Sequence, residues 1–156
     1  MIIGAYFDLS DLYHRVNRRF GRKLNFSSVL ESFKSLGEVV TAHAYGIQIG
    51  HEASSFVSCL NRLGFVTHFK RPEIIRLGDH EIKRANWELQ IGLDVVQAFI
   101  PGLDVVILGT GSARMLPLVE YIRDCKKRCY VFGVGIEKEL KRSVDVIIEV
   151  TQDFLE

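Results

Sequence analysis

Apolar runs of strand length alternate along this chain with longer segments whose apolar residues recur at helical spacing. Ile2–Phe7, Val39–Gly46, Phe65–Lys70, Asp104–Leu108, Arg128–Phe132 and Asp145–Glu149 read as strands. Several are continuous apolar runs, such as Val105-Val106-Ile107-Leu108, which suit strands buried on both faces and therefore a parallel sheet. Helical periods fill the intervals. They cover Leu12–Phe20, Phe26–Leu36 with Asn25, Ser27 or Ser28 as N-cap, and His51–Leu63 closed by Gly64. Asn86–Phe99, closed by Pro101-Gly102, Ser112–Lys127 and Glu137–Arg142 complete them. The alternation predicts an α/β fold, a three-layer α/β/α sandwich with a mainly parallel central sheet, Rossmann-like in architecture, with residues 1–156 as a single domain. Sites in such sheets form at the carboxyl ends of the strands.

Composition narrows the class without naming a partner. With 156 residues and 47% hydrophobic content, the chain can bury a core without disulfides or metals, and a disordered chain is excluded. Twenty Lys and Arg against nineteen Asp and Glu leave a net charge of +1, so any electrostatic partner has to be read locally. The start, MIIGAYFDLS, has no basic region, and no uncharged apolar run reaches the ~18 residues of a membrane span. Neither a signal peptide nor a membrane protein is expected. Three cysteines, odd in number and without metal spacing, fit free thiols in a reducing cytoplasm.

At the end of the first strand, Phe7-Asp8-Leu9-Ser10-Asp11 puts Asp8 at the carboxyl end and Asp11 one helical turn further on. Two carboxylates there can hold a hard divalent cation, which takes oxygen ligands. Alternatively, Asp11 or Ser10 caps the next helix and Asp8 is a polar strand end. In the segment Trp87–Phe99, Leu89, Leu93, Val96 and Ile100 make one apolar face, with Trp87, Ile91, Val95 and Ala98 beside it. Asp94 falls in the narrow polar stripe between them with Gln90 and Gln97, either partnered or reaching solvent along one edge. Gly92, which costs about 1 kcal/mol against Ala in a helix interior, points to close approach of another segment. The turn Gly109-Thr110-Gly111-Ser112-Ala113-Arg114 can offer N–H groups and two hydroxyls to a phosphate. It lacks the third glycine of a dinucleotide fingerprint and the lysine of a P-loop, and Gly133-Val134-Gly135 is no more specific. Basic clusters at His14–Lys23 and Lys70-Arg71 flank the expected crevice and suit a phosphate backbone, or are solvated faces.

Taken together, five blocks resemble the NYN family of PIN-like nuclease domains in order and spacing. They are Tyr6-Phe7-Asp8-Leu9-Ser10-Asp11-Leu12-Tyr13, Ile91-Gly92-Leu93-Asp94-Val95, Asp104–Ser112 continuing through Leu116–Tyr121, Lys127–Gly133, and Ser143–Ile148. The resemblance implies a PIN-like domain of ribonuclease lineage, in which acidic residues at the strand ends bind Mg²⁺ or Mn²⁺ and activate water against an RNA phosphodiester. Asp8 matches the family's first aspartate, and Asp94 matches that of its lysine-glycine-valine-aspartate block. On that basis Asp8 and Asp94 are candidate metal ligands, and Asp8, Asp11 and Asp94 the candidate catalytic set.

The departures from the family are specific. Asp11 stands where the family has asparagine, Leu9 where it has a small residue and Ile91 where it has lysine, and two acid positions after the fourth strand read Ser112 and Arg114. A cation at Arg114 competes with a divalent ion, and pairing of Arg114 with Asp8 or Asp94 accounts for the lost acids and the gained base together. The expected function is an RNA-binding or regulatory domain with weak or lost metal-dependent phosphodiesterase activity. Its expected RNA contacts are Arg15, Arg18, Arg19, Arg22, Lys70, Arg71 and Thr110. The alternatives are an active Mg²⁺- or Mn²⁺-dependent endoribonuclease using Asp8, Asp11 and Asp94, and a nucleotide-binding protein using the two glycine turns. The apolar content is compatible with a homo-oligomer.

Overall fold

The structure, a computed structural model, describes residues 1–48, 52–99 and 102–156. In chain order the elements are β1 (Ile2–Asp8), α1 (Leu9–Phe20), α2 (Phe26–Lys34), β2 (Glu38–Ile47), α3 (Glu52–Arg62), β3 (Val66–Lys70) and β4 (Glu73–Leu77). There follow β5 (His80–Arg84), α4 (Glu88–Ala98), β6 (Val105–Gly109), α5 (Leu116–Asp124), β7 (Arg128–Gly133), α6 (Lys138–Ser143) and β8 (Val146–Glu149). Six strands form one sheet in the order β3-β2-β1-β6-β7-β8, and each neighbouring pair is parallel. These are the six strands expected from the apolar runs.

Helices cover both faces. Leu12 and Val16 of α1, Val29 and Phe33 of α2 and Leu60 of α3 pack with Ile3, Ala5, Phe7 and Ile107 on one side. On the other, Ile91 and Val95 of α4, Val119 and Ile122 of α5 and Leu140 of α6 pack with Tyr6, Tyr45, Val106 and Leu108. The chain builds outward from β1 to β3, returns to β6 on the other flank of β1, and continues to β8. The carboxyl ends of β1 and β6, where the winding direction reverses, are the switch point at which such sheets form their crevice.

Local chemistry sets the helix starts. Asp8 is itself the N-cap of α1, accepting the Asp11 N–H at 3.3 Å, so the helix begins three residues before the apolar period reveals it. Asn25 caps α2 through the Ser28 N–H at 3.2 Å. Past the turn Ala113–Met115, α5 starts at Leu116 with Pro117 in its first turn, where the missing N–H is harmless.

Three expectations need correction. The antiparallel pair β4–β5 lies outside the main sheet and has no counterpart in the apolar pattern, because its side chains are largely exposed. Its sequence signal is the turn Gly78-Asp79, with Gly78 at φ +64°. The second apolar face of α4 is not buried, since Leu89, Leu93 and Val96 are 78%, 53% and 39% exposed, whereas Trp87, Ile91 and Val95 are buried. Gly92 faces open space, for a Cβ there meets nothing within 4 Å. His51, Ile100 and Pro101, each part of an expected helix or its end, lie outside the described residues. Among the described residues no helix is long and apolar enough to cross a membrane.

Candidate functional site

The crevice holds Asp8, Asp11 and Thr110, and its dominant charge pair is internal. Asp11 accepts Arg15 Nε on both oxygens at 2.9 and 3.0 Å, Thr110 Oγ1 at 2.9 Å and the Gly111 N–H at 2.7 Å. Arg15 also donates from Nη1 to the Gly135 carbonyl at 2.6 Å, and its Nη2 lies 3.7 Å from Glu137 Oε2. The guanidinium thus ties α1 to both glycine turns. Gly111 makes room for it, since a Cβ there would stand 2.7 Å from Arg15 Cδ and 2.8 Å from Nε.

Asp8 is 8% exposed. Burial pushes its carboxyl up to about 7, and the charges of Asp11 and Glu88 add to the rise while the Asp11 and Ser10 N–H groups oppose it. Arg114 makes no ion pair with the aspartates. Its side chain is 67% exposed and its ion pair is with Glu88, at 3.8 Å, not with Asp8 or Asp94. Glu88, in the first turn of α4, is an acid of the strand-end region that the sequence reading passes over.

The first glycine turn is spent on internal contacts, and Gly133 of the second packs against it. The Gly111 N–H goes to Asp11, the Ala113 N–H to Glu137 Oε2 at 2.5 Å and the Arg114 N–H to Ser112 Oγ at 3.2 Å. A Cβ at Gly133 would stand 2.8 Å from the Thr110 carbonyl oxygen. In the first turn, the donors a phosphate would need are occupied by the chain's own carboxylates and by Ser112.

Asp94 lies on the face of the sheet covered by α4. Its Oδ2 accepts the Tyr45 hydroxyl at 2.7 Å, and its Oδ1 accepts Gln90 Nε2 at 2.9 Å. His68 Nε2 lies 3.9 Å from Oδ2. Strand register explains the grouping, for Asp8 stands opposite Tyr45, Tyr45 opposite His68, and Tyr6 opposite His43. The rings stack, with centroids 5.0 Å apart for Tyr6 and His43, 5.2 Å for His43 and His68, and 4.5 Å for Tyr45 and His68. His43 Nδ1 is 3.0 Å from His68 Nε2, and its Nε2 is 2.9 Å from Thr41 Oγ1. Burial first, then His68, lowers the pKa of His43, whereas burial and the Asp94 hydrogen bond hold Tyr45 well above the usual phenol range.

His43, Tyr45 and His68 escape the sequence reading, although Thr41-Ala42-His43-Ala44-Tyr45 carries a signal. Period-2 alternation places both alanines on the α1–α3 side of the sheet and the polar and aromatic residues on the α4 side. Among the described residues, His43, His68 and Asp94 each bring a ligand atom within 4.8 Å of the others, and Asp8, Asp11 and Asp94 form no such group.

The strand-end acids do not fit the hard divalent ion that the resemblance implies. Such an ion needs several carboxylate oxygens together, while Asp11 is clamped by Arg15, Glu88 faces Arg114, and Asp94 groups with His43 and His68 rather than with Asp8 and Asp11. Of the expected RNA contacts, Thr110 is buried and engaged with Asp11, and Arg15 is clamped. Arg22 donates to the Glu156 carbonyl, and Lys70 Nζ donates to the Asn86 carbonyl at 2.6 Å while lying 4.0 Å from the Trp87 ring centroid. Arg18, Arg19 and Arg71 are exposed.

A crystal structure of a protein of unknown function from Vibrio parahaemolyticus has this fold, with a TM-score of 0.86 at 25% identity, covering 99% of this chain and 96% of that chain. No curated protein matches the chain. The NYN domain pattern matches residues 3–152, nearly the whole length, and with the parallel sheet, its switch point and the strand-end aspartate in place, the chain belongs to the NYN domain family of PIN-like, nuclease-type folds.

Proposed function

We propose that this protein is an RNA-binding domain of nuclease lineage in which an internal arginine takes over the charge balance of the strand-end site, leaving phosphodiester cleavage weak or lost. The Asp11–Arg15 clamp carries the reading. A metal ion accelerates phosphodiester hydrolysis by polarising a phosphoryl oxygen and activating water at an open coordination position. A guanidinium supplies positive charge but no such position. Ser112 and Arg114, at positions where the family has acids, support the same reading, with Arg114 acting through surface charge. Arg18, Arg19 and Arg71 supply the phosphate contacts because they are exposed, Arg71 directly after β3 at the carboxyl ends of the strands and Arg18 and Arg19 in the last turn of α1.

The test measures cleavage and binding on the same RNA. Single-stranded RNA incubated with the protein and Mn²⁺ is expected to stay intact, while fluorescence anisotropy shows salt-dependent binding. The double variant R18A/R19A should weaken binding and reduce the slope of log K against log salt by roughly one for each phosphate no longer neutralised. Cleavage that requires Mn²⁺ and disappears in Asp94→Asn would instead establish the active endoribonuclease. Binding that ignores both salt and R18A/R19A would overturn the RNA interface.

A further inference from the structure

We infer that His43, His68 and Asp94 form a binding site for a borderline-soft divalent transition metal of the Zn²⁺ class, with three protein ligands and one open position. The donor set argues for that class. Two imidazole nitrogens and one carboxylate oxygen suit Zn²⁺ and its neighbours, whereas Mg²⁺ selects oxygen ligands and water. The spacing argues for a site. Ligands about 2.0–2.1 Å from a tetrahedral ion stand about 3.3 Å from one another. Here the nitrogens are 3.0 Å apart, and the His68 nitrogen is 3.9 Å from the carboxylate oxygen. All three ligand atoms lie within 4.8 Å of one another, so side-chain adjustments of up to about an ångström bring them to an ion.

The surroundings orient the ligands. Thr41 Oγ1 engages the far nitrogen of His43, which leaves Nδ1 facing His68. Tyr45 and Gln90 hold the two oxygens of Asp94. Such outer contacts fix ring and carboxylate orientation in metal sites, and the ring stacks on Tyr6 and Tyr45 limit rotation further. Access comes from the sheet edge. β3 is the terminal strand, and the side chains of His68 and Asp94 are 25% and 14% exposed. Unlike Asp11, His43, His68 and Asp94 have no arginine or lysine ion pair among the described residues that an ion would have to displace. Without an ion the same groups make a hydrogen-bonded pair of imidazoles beside a carboxylate, and measurement separates the two accounts.

The test uses the full chain freed of metal with a chelator, titrated with Zn²⁺ by calorimetry and with Co²⁺ by visible absorption. One equivalent per chain is expected, with the d–d bands of a tetrahedral nitrogen and oxygen site. His68→Gln should abolish binding. Thr41→Val, which removes only an outer contact, should weaken it roughly 10–100-fold. Cys59 is exposed and Cys125 half-buried, so the C59S/C125S variant serves as a control and should bind like the wild type. Circular dichroism of His68→Gln in chelator should match the metal-free wild type, so that loss of binding is not loss of fold. Wild type that binds no ion, His68→Gln that binds as wild type does, or a thiolate-to-cobalt charge-transfer band would each overturn the site.

Discussion

Asp11 and Asp94 are both helix carboxylates beside the same sheet, and they meet opposite fates. Asp11 is the more exposed, at 21% against 14% for Asp94, yet it is the less available. Its partner is an arginine, which stays charged at any pH the fold survives, so its negative charge is permanently balanced. The hydrogen-bond donors to Asp94 are a phenol and an amide, both neutral, and its charge is left for something else to meet. Neighbour charge, more than depth, decides whether a carboxylate can serve a metal ion.

The largest expected effect concerns Asp8, the third acid of the comparison. Its folded pKa of about 7 lies above the ordinary value of 3.8, so the folded state holds this proton more tightly than the unfolded state does. Its contribution to stability therefore falls as pH rises from about 4 through 7, and the full penalty remains above that range. Asp8→Asn keeps an N-cap and removes the penalty. At 1.36 kcal/mol per unit the gain at pH 8 is at most about 4 kcal/mol. Urea unfolding at pH 5 and pH 8 should show a smaller pH dependence in the variant, and identical slopes would mean that burial of Asp8 costs nothing.

Asp11→Ala comes next. It strands a half-buried Arg15, the Thr110 hydroxyl and the Gly111 N–H, and should cost about 3 kcal/mol in the same unfolding measurement. Combined with Arg15→Ala the losses should be less than additive by about 1 kcal/mol or more, and plain additivity would dissolve the clamp. Asp94→Asn should cost only about 1 kcal/mol, because neutral partners are easier to re-satisfy. A loss as large as that of Asp11→Ala would erase the contrast between the two acids. The smallest effect belongs to Arg114→Ala, within about 0.5 kcal/mol, as expected for an exposed ion pair. A cost above about 1.5 kcal/mol would put Arg114 back in the crevice.

The strands and most helices are legible because their signals are local. Val105–Leu108 reads as a buried strand from four consecutive residues, and Asn25 marks the start of α2 by itself. Asp8 and Asp94 are legible as unusual acids for a similar reason, each standing at an apolar boundary. The Asp11–Arg15 pair is also within reach, being an i, i+4 pair on one helix. Arg114 is the more conspicuous residue because it replaces a family acid, yet replacement in sequence does not place a long side chain in the same space.

The sequence by itself determined the order of elements, the parallel sheet and the strand-end aspartate, since periodicity and capping depend on neighbours a few residues away. Only the tertiary structure decided what those acids face. His43 and His68 are 25 positions apart, and Tyr45 and Asp94 are 49 apart. Their meeting depends on strand register and on how α4 docks, and both are settled by packing of the whole core rather than by any local run of residues.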